Sequence, residues 1–179
     1  MSRKSFEEFI NAQPEEPAAD AFNVAKELDE WLKALDKLYA NVRSYLSPFK
    51  AQGKVAIEDG EVELHEEATG PYQAPKMSIR MGPHVVTLLP IGTFLIGAKG
   101  RVDMKGPRGT VRFVLVPKDS SAPRITVSIR RADDPATEPQ QPPPVLEWDW
   151  KIATSPPHVR YQEINEDSFL DALLEIVNG

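Results

Sequence analysis

The 179-residue chain contains no cysteine. That excludes a disulfide framework, a thiolate zinc site, an iron–sulfur cluster and a cysteine nucleophile. Histidine is nearly as scarce: His65, His84 and His158 are the only three, and no two stand at a metal-binding spacing. His65 sits in the acidic run Glu63-Leu64-His65-Glu66-Glu67, which reads as a solvated strand end. Long apolar runs are also missing. The best, Val85 to Ile96, is broken by Thr87, Pro90, Gly92 and Thr93, and it falls short of the roughly 20 residues that cross a bilayer. The opening MSRKSFEEFINAQPEEP has no apolar core of a signal peptide. These gaps lead us to expect a cytoplasmic protein with no membrane association, no cofactor and no metal.

Two motifs fail at their critical position. Gly92 to Lys99 (GTFLIGAK) has the spacing of a phosphate-binding loop as far as Gly97, but Ala98 stands where lysine is required. No Gly-x-Ser-x-Gly elbow occurs, which argues against a hydrolase of that kind.

The composition that remains, 41% hydrophobic and 27% charged, is that of a globular chain. We read it as a single α+β domain over residues 1–179. Ser5 and Glu8 form a capping box for a short helix, and a linker completes residues 1–19. A long amphipathic helix follows over 20–48. Its stripe is Leu28, Trp31, Leu32, Leu35, Leu38, Tyr39, Val42, Tyr45 and Leu46, and Pro48 is expected to stop it.

Over 54–132 the apolar period changes to two, as a mostly antiparallel sheet requires. Asp59-Gly60 reads as a two-residue turn setting Ile57 opposite Val62 and Val55 opposite Leu64. Met77, Ile79 and Met81 form a strand ending at a Gly82-Pro83 turn. His84 to Leu89 and Thr93 to Ile96 read as central strands covered on both faces. Counting back through Gly106-Pro107-Arg108-Gly109 pairs Met104 with Val111, Asp103 with Arg112 and Val102 with Phe113. Arg124 to Arg130 adds a strand. The segment 133–144 is a loop with five prolines among twelve residues, and final strands occupy 145–164. Asn165 then caps a C-terminal helix over 165–179, with Glu166 and Asp167 at its positive end. The expected architecture is a curved sheet of about eight or nine strands with the helices on one face.

The formal charge of −6 hides a segregation. Residues 71–132 carry eleven basic and two acidic side chains, whereas residues 133–179 carry two and ten. Within the basic block Arg80, Arg101, Arg112 and Arg130 lie opposite the apolar alternation of their strands, so one sheet face presents arginines. Either these pair with acidic residues on neighbouring strands, such as Glu58, Glu61, Glu63, Glu147 and Asp149, or they form an open surface for an anionic partner.

Glu147-Trp148-Asp149-Trp150-Lys151 places two acids and a lysine on one face and both tryptophans on the other. With Asp103 as a further acid, Asp103, Glu147, Asp149 and Lys151 have the residue types of a metal-dependent nuclease, in the acid-x-Lys manner of PD-(D/E)xK enzymes. The spacing departs from that pattern: some forty residues and two strands intervene. The simpler reading makes the tryptophans core and the charges solvated.

Three functions follow from these patterns. The first is a non-enzymatic binding or accessory protein that docks a macromolecular partner, or a second copy of itself, through the sheet face or the long helix. The second is a binder of nucleic acid or another anionic ligand through the arginine face. The third is a metal-dependent nuclease-like enzyme.

Overall fold

A computed structural model describes residues 18–93, 98–123 and 147–179. Helix α1 spans Ala18–Ala51. Trp31, Leu35, Leu38, Tyr39, Val42 and Leu46 recur every three or four residues along it, and all six are buried. That stripe, read from the 3.6-residue period, is the face α1 lays on the sheet.

The helix does not stop at Pro48, as expected, but continues to Ala51. A proline removes one intrahelical hydrogen bond, and here that loss falls in the last turn. A Schellman closure holds the end beyond it. The Gly53 amide donates to the Lys50 carbonyl (2.9 Å) and the Lys54 amide to that of Phe49 (3.1 Å). Gly53 takes φ +70, which only glycine adopts cheaply.

Seven strands follow: β1 (Ala56–Glu66), β2 (Gly70–Met81), β3 (His84–Gly92), β4 (Gly100–Lys105), β5 (Thr110–Pro117), β6 (Trp148–Ala153) and β7 (Tyr161–Glu163). They form one antiparallel sheet whose spatial order is the chain order, a simple meander. The chain is therefore α+β, with seven strands among the described residues instead of eight or nine. The expected N-terminal helix, the strand at Arg124 to Arg130 and the proline-rich loop lie outside them, as does Phe94 to Ile96.

The Asp59-Gly60 hairpin does not form. β1 runs straight through both residues and pairs with β2 over eleven positions, including Ile57 with Ile79, Val62 with Ala74 and Leu64 with Tyr72. A type I′ turn needs positive φ at both central residues. Among the described residues no non-glycine has one, and Gly60 does not either. The break in alternation at Asp59-Gly60 has another meaning. Strict period-two alternation would put Val62, Leu64, Tyr72 and Ala74 on the face opposite Ile57, Met77 and Ile79, yet all seven join one hydrophobic cluster. The β1–β2 ribbon thus changes its inward face between its halves, as strongly twisted two-stranded ribbons do. Its distal half is tied back: the Tyr39 hydroxyl of α1 donates to the Pro75 carbonyl at 2.8 Å.

The other turns match their sequence signals. Gly82 carries φ +57 in the two-residue β2–β3 connection, and the β4–β5 register pairs Met104 with Val111, Asp103 with Arg112 and Val102 with Phe113 as counted. β3 is covered on one face only: Val86 and Leu88 are buried, whereas Val85 is 41% and Ile91 38% exposed.

Helix α2 (Glu166–Asn178) begins with a reciprocal capping box. Asn165 Oδ1 accepts from the Ser168 amide (2.9 Å) and Ser168 Oγ from the Asn165 amide (3.0 Å). Phe169, Ala172, Leu173 and Ile176 face inward, and Phe169 packs on Phe113 and Tyr45. Both helices share one hydrophobic cluster with the inward side chains of the sheet. Among the described residues no helix is long and apolar enough to cross a membrane.

Candidate binding surfaces

The face of the sheet turned away from the helices carries Arg80, Arg101 and Arg112. Arg80 is exposed and faces Glu58 at 3.4 Å. Arg101 does not reach across a strand. Its guanidinium grips Asp103, two residues along the same strand, with Nε at 2.6 Å and Nη2 at 2.8 Å from the two carboxylate oxygens. Asp103 is buried and so compensated by a bidentate partner. Arg112 stands beside Asp103 in register and is exposed. Neither Arg112 nor Lys105 has a carboxylate partner among the described residues. Arg130 lies outside the described residues.

Between Arg80 and Arg101 runs the outward side of β3. Val85 pairs with Arg80, Thr87 with Lys105 and Leu89 with Asp103. Val85, Leu89 and Ile91, with Thr87 between the first two, line the outward side of β3; Val85 and Ile91 are exposed and Leu89 is half-buried, and cations border them.

Asp103, Glu147, Asp149 and Lys151 are not brought together. Strand β5 separates Asp103 from Lys151, whose register neighbour is Val114. Asp103 is held by Arg101; Glu147 faces Lys118 (3.3 Å) and Asp149 faces Lys37 (3.3 Å). The buried Lys151 ammonium donates to the carbonyls of Lys118 (2.5 Å) and Ser120 (3.0 Å) and meets Glu163 at 3.1 Å. Three acceptors around a buried ammonium make a staple between strand β6, the 118–120 turn and β7. Among the described residues no three His, Asp or Glu side chains are placed to hold a metal ion.

A second feature was not legible beforehand. The chain has three tryptophans, and all three line one cleft of about 390 Å³ between the N-terminal half of α1 and the β4–β6 end of the sheet. Trp31 and Trp150 lie at its base, their rings 5.9 Å apart, and the Trp150 indole donates to the Ala34 carbonyl at 2.7 Å. Trp31 lies against Gly100, where a Cβ would come within 2.1 Å of its ring. Trp148 forms a wall with the Lys99 ammonium over its face, 4.9 Å from the ring centre. That ammonium also meets Glu30 Oε2 at 3.0 Å. Glu27, Lys33 and Lys37 complete the rim. The Glu-Trp-Asp-Trp-Lys alternation correctly put the tryptophans on one face; that Trp31 and Lys99 meet them is a matter of helix placement.

Beside the cleft, Glu66 closes the distal end of the β1–β2 ribbon onto the end of β3. Its Oε1 accepts from the Thr93 amide at 2.5 Å, and its Oε2 from the Tyr72 hydroxyl at 2.8 Å. Burial, then the hydrogen bond to Glu66 and its charge, push the Tyr72 phenol well above the ordinary tyrosine range. Burial does the same to Tyr39.

Comparison of the chain with models of protein families, with curated proteins and with solved structures gave no match.

Proposed function

We propose that this protein is a binding protein that docks an acidic, amphipathic segment of another protein on the outer face of its sheet. The observation that carries this is the aliphatic row Val85, Leu89 and Ile91 bordered by Arg80, Lys105 and Arg112. Arg112 and Lys105 lack carboxylate partners among the described residues, so an incoming carboxylate would not have to break an ion pair to reach them. An apolar centre with a charged rim is the usual anatomy of a protein interface, and guanidinium groups favour carboxylates through paired hydrogen bonds. The same cations would attract nucleic acid, but a row of aliphatic side chains, with Val85 and Ile91 exposed and Leu89 half-buried, adds nothing to phosphate binding.

The test is affinity capture of partners from native lysate by wild-type protein and by the Lys105→Glu, Arg112→Glu double variant, with light scattering to register self-association. A partner retained by the wild type and lost by the charge reversal supports the proposal. Equal retention by both, or a solitary monomer that retains nothing, overturns it. If instead the protein binds mixed-sequence DNA or RNA with a steep loss between low and moderate salt, the nucleic-acid reading replaces it.

A further inference from the structure

The tryptophan cleft is separate from the outer sheet face and has its own chemistry. Its floor is apolar, formed by Trp31, Ala34, Leu115 and Trp150. Its charged rim is largely neutralised from within: Lys33 pairs with Asp29, Lys37 with Asp149 and Lys99 with Glu30. Glu27 is the exception, an exposed carboxylate with no ion-pair partner among the described residues. Glu30 is shared between Lys99 and Lys26, so the one rim charge without an ion-pair partner among the described residues is the Glu27 carboxylate. The Trp148 wall already carries a cation. The Lys99 ammonium occupies the position over the ring and beside Glu30 that a ligand cation would take. An aromatic face attracts cations through its quadrupole, and more strongly where water is thinned out.

We infer that this cleft binds a small organic cation: an alkylated ammonium group on an aromatic or aliphatic body. The ammonium would replace Lys99 over Trp148 and between Glu27 and Glu30, and the body would lie on Trp31, Leu115 and Trp150. The volume is at the small end of the range for small-molecule sites, which excludes a bulky ligand. Lys99 acts as a built-in competitor. Whatever fraction of time its ammonium covers Trp148 lowers the apparent affinity of the ligand by the same factor.

All three tryptophans line the site, so intrinsic fluorescence reports its occupancy. The full chain is titrated with benzyltrimethylammonium and, separately, with phenylacetate, which has a similar body and the opposite charge. The expected result is a saturable change with the cation and none with the anion. Trp148→Ala should weaken cation binding about tenfold, and Lys99→Met should strengthen it at least about threefold by removing the competitor. Glu27→Gln changes only an exposed side chain and should weaken binding without disturbing the fold, which keeps the test usable if Trp148→Ala does not fold. The inference is overturned by the lack of a saturable response to the cation or by equal binding of phenylacetate. An affinity that neither Lys99→Met nor Glu27→Gln alters also overturns it.

Discussion

Gly100 shows how much one missing side chain decides. Trp31 can lie against β4 only because position 100 has no Cβ; one added there would stand 2.1 Å from the indole. Gly100→Ala should therefore cost about 1–3 kcal/mol by overpacking, read as a lower urea midpoint at unchanged slope. The tryptophan emission should shift with it, because Trp31 sits at the base of the cleft. Tyr39 and Tyr72 make a second residue-scale prediction. Both phenols are held above the ordinary value of 10.0, chiefly by burial. Above about pH 10 the unfolded chain has released tyrosine protons that the native chain keeps, so proton binding favours the native state less as pH rises. Their contribution is complete below pH 10 and is lost progressively above it. Urea midpoints measured between about pH 9 and 11 should fall, and less steeply in Tyr72→Phe than in the wild type.

Among the elements, β6 and β7 depend on a buried lysine, although strand alternation alone puts Lys151 on the charged, solvated face. The buried Lys151 ammonium is satisfied by two carbonyls of the 118–120 turn and by Glu163. Lys151→Met would leave those carbonyls unpaired, at a cost of about 1–3 kcal/mol. Hydrogen exchange should locate the damage: the Tyr161 amide, bonded to the Ser121 carbonyl, exchanges faster, while amides of the β4–β5 hairpin are unaffected. That hairpin was legible from its residues because a four-residue turn and two matched alternations allow one register. The α2 start was legible for a similar reason, since Asn165 and Ser168 act within one turn of helix. Asp59-Gly60 was misleading. A short local hairpin and a face change in a long ribbon produce the same interruption of alternation, and only the pairing with β2 over eleven positions separates them. Pro48 misled in a milder way, because a proline in a last turn sacrifices little that a Schellman closure does not hold.

Across the whole molecule, the net charge of −6 gives way to two unlike surfaces. One is the outer sheet face, with its aliphatic row and the cations Arg80, Lys105 and Arg112. The other is the tryptophan cleft, where the unpaired charge is the Glu27 carboxylate. Charge reversal at Lys105 and Arg112 should separate binding from folding. Both side chains are exposed, but a glutamate at 112 stands directly opposite the buried Asp103, so the double reversal should cost up to about 1 kcal/mol by like-charge repulsion and leave the protein folded, while capture of an acidic partner is lost. Thermal melts and affinity capture on one preparation check both halves of that statement.

The linear pattern of residues determined the α+β class, the inward stripe of α1, the β4–β5 register and the cap of α2. Each of these rests on local periodicity or on contacts within a few residues. It also ruled out cysteine chemistry without further information. Only the tertiary structure decided which charges meet. Arg101 turns to Asp103 along its own strand, Lys151 goes to backbone carbonyls, and Arg112 is left without a carboxylate among the described residues. It likewise brought Trp31 to Trp148 and Trp150, more than a hundred residues further along the chain, and to Lys99. Ion pairs and clefts depend on distances between elements, and those are set by how the helix lies on the sheet, which no period within a single element encodes.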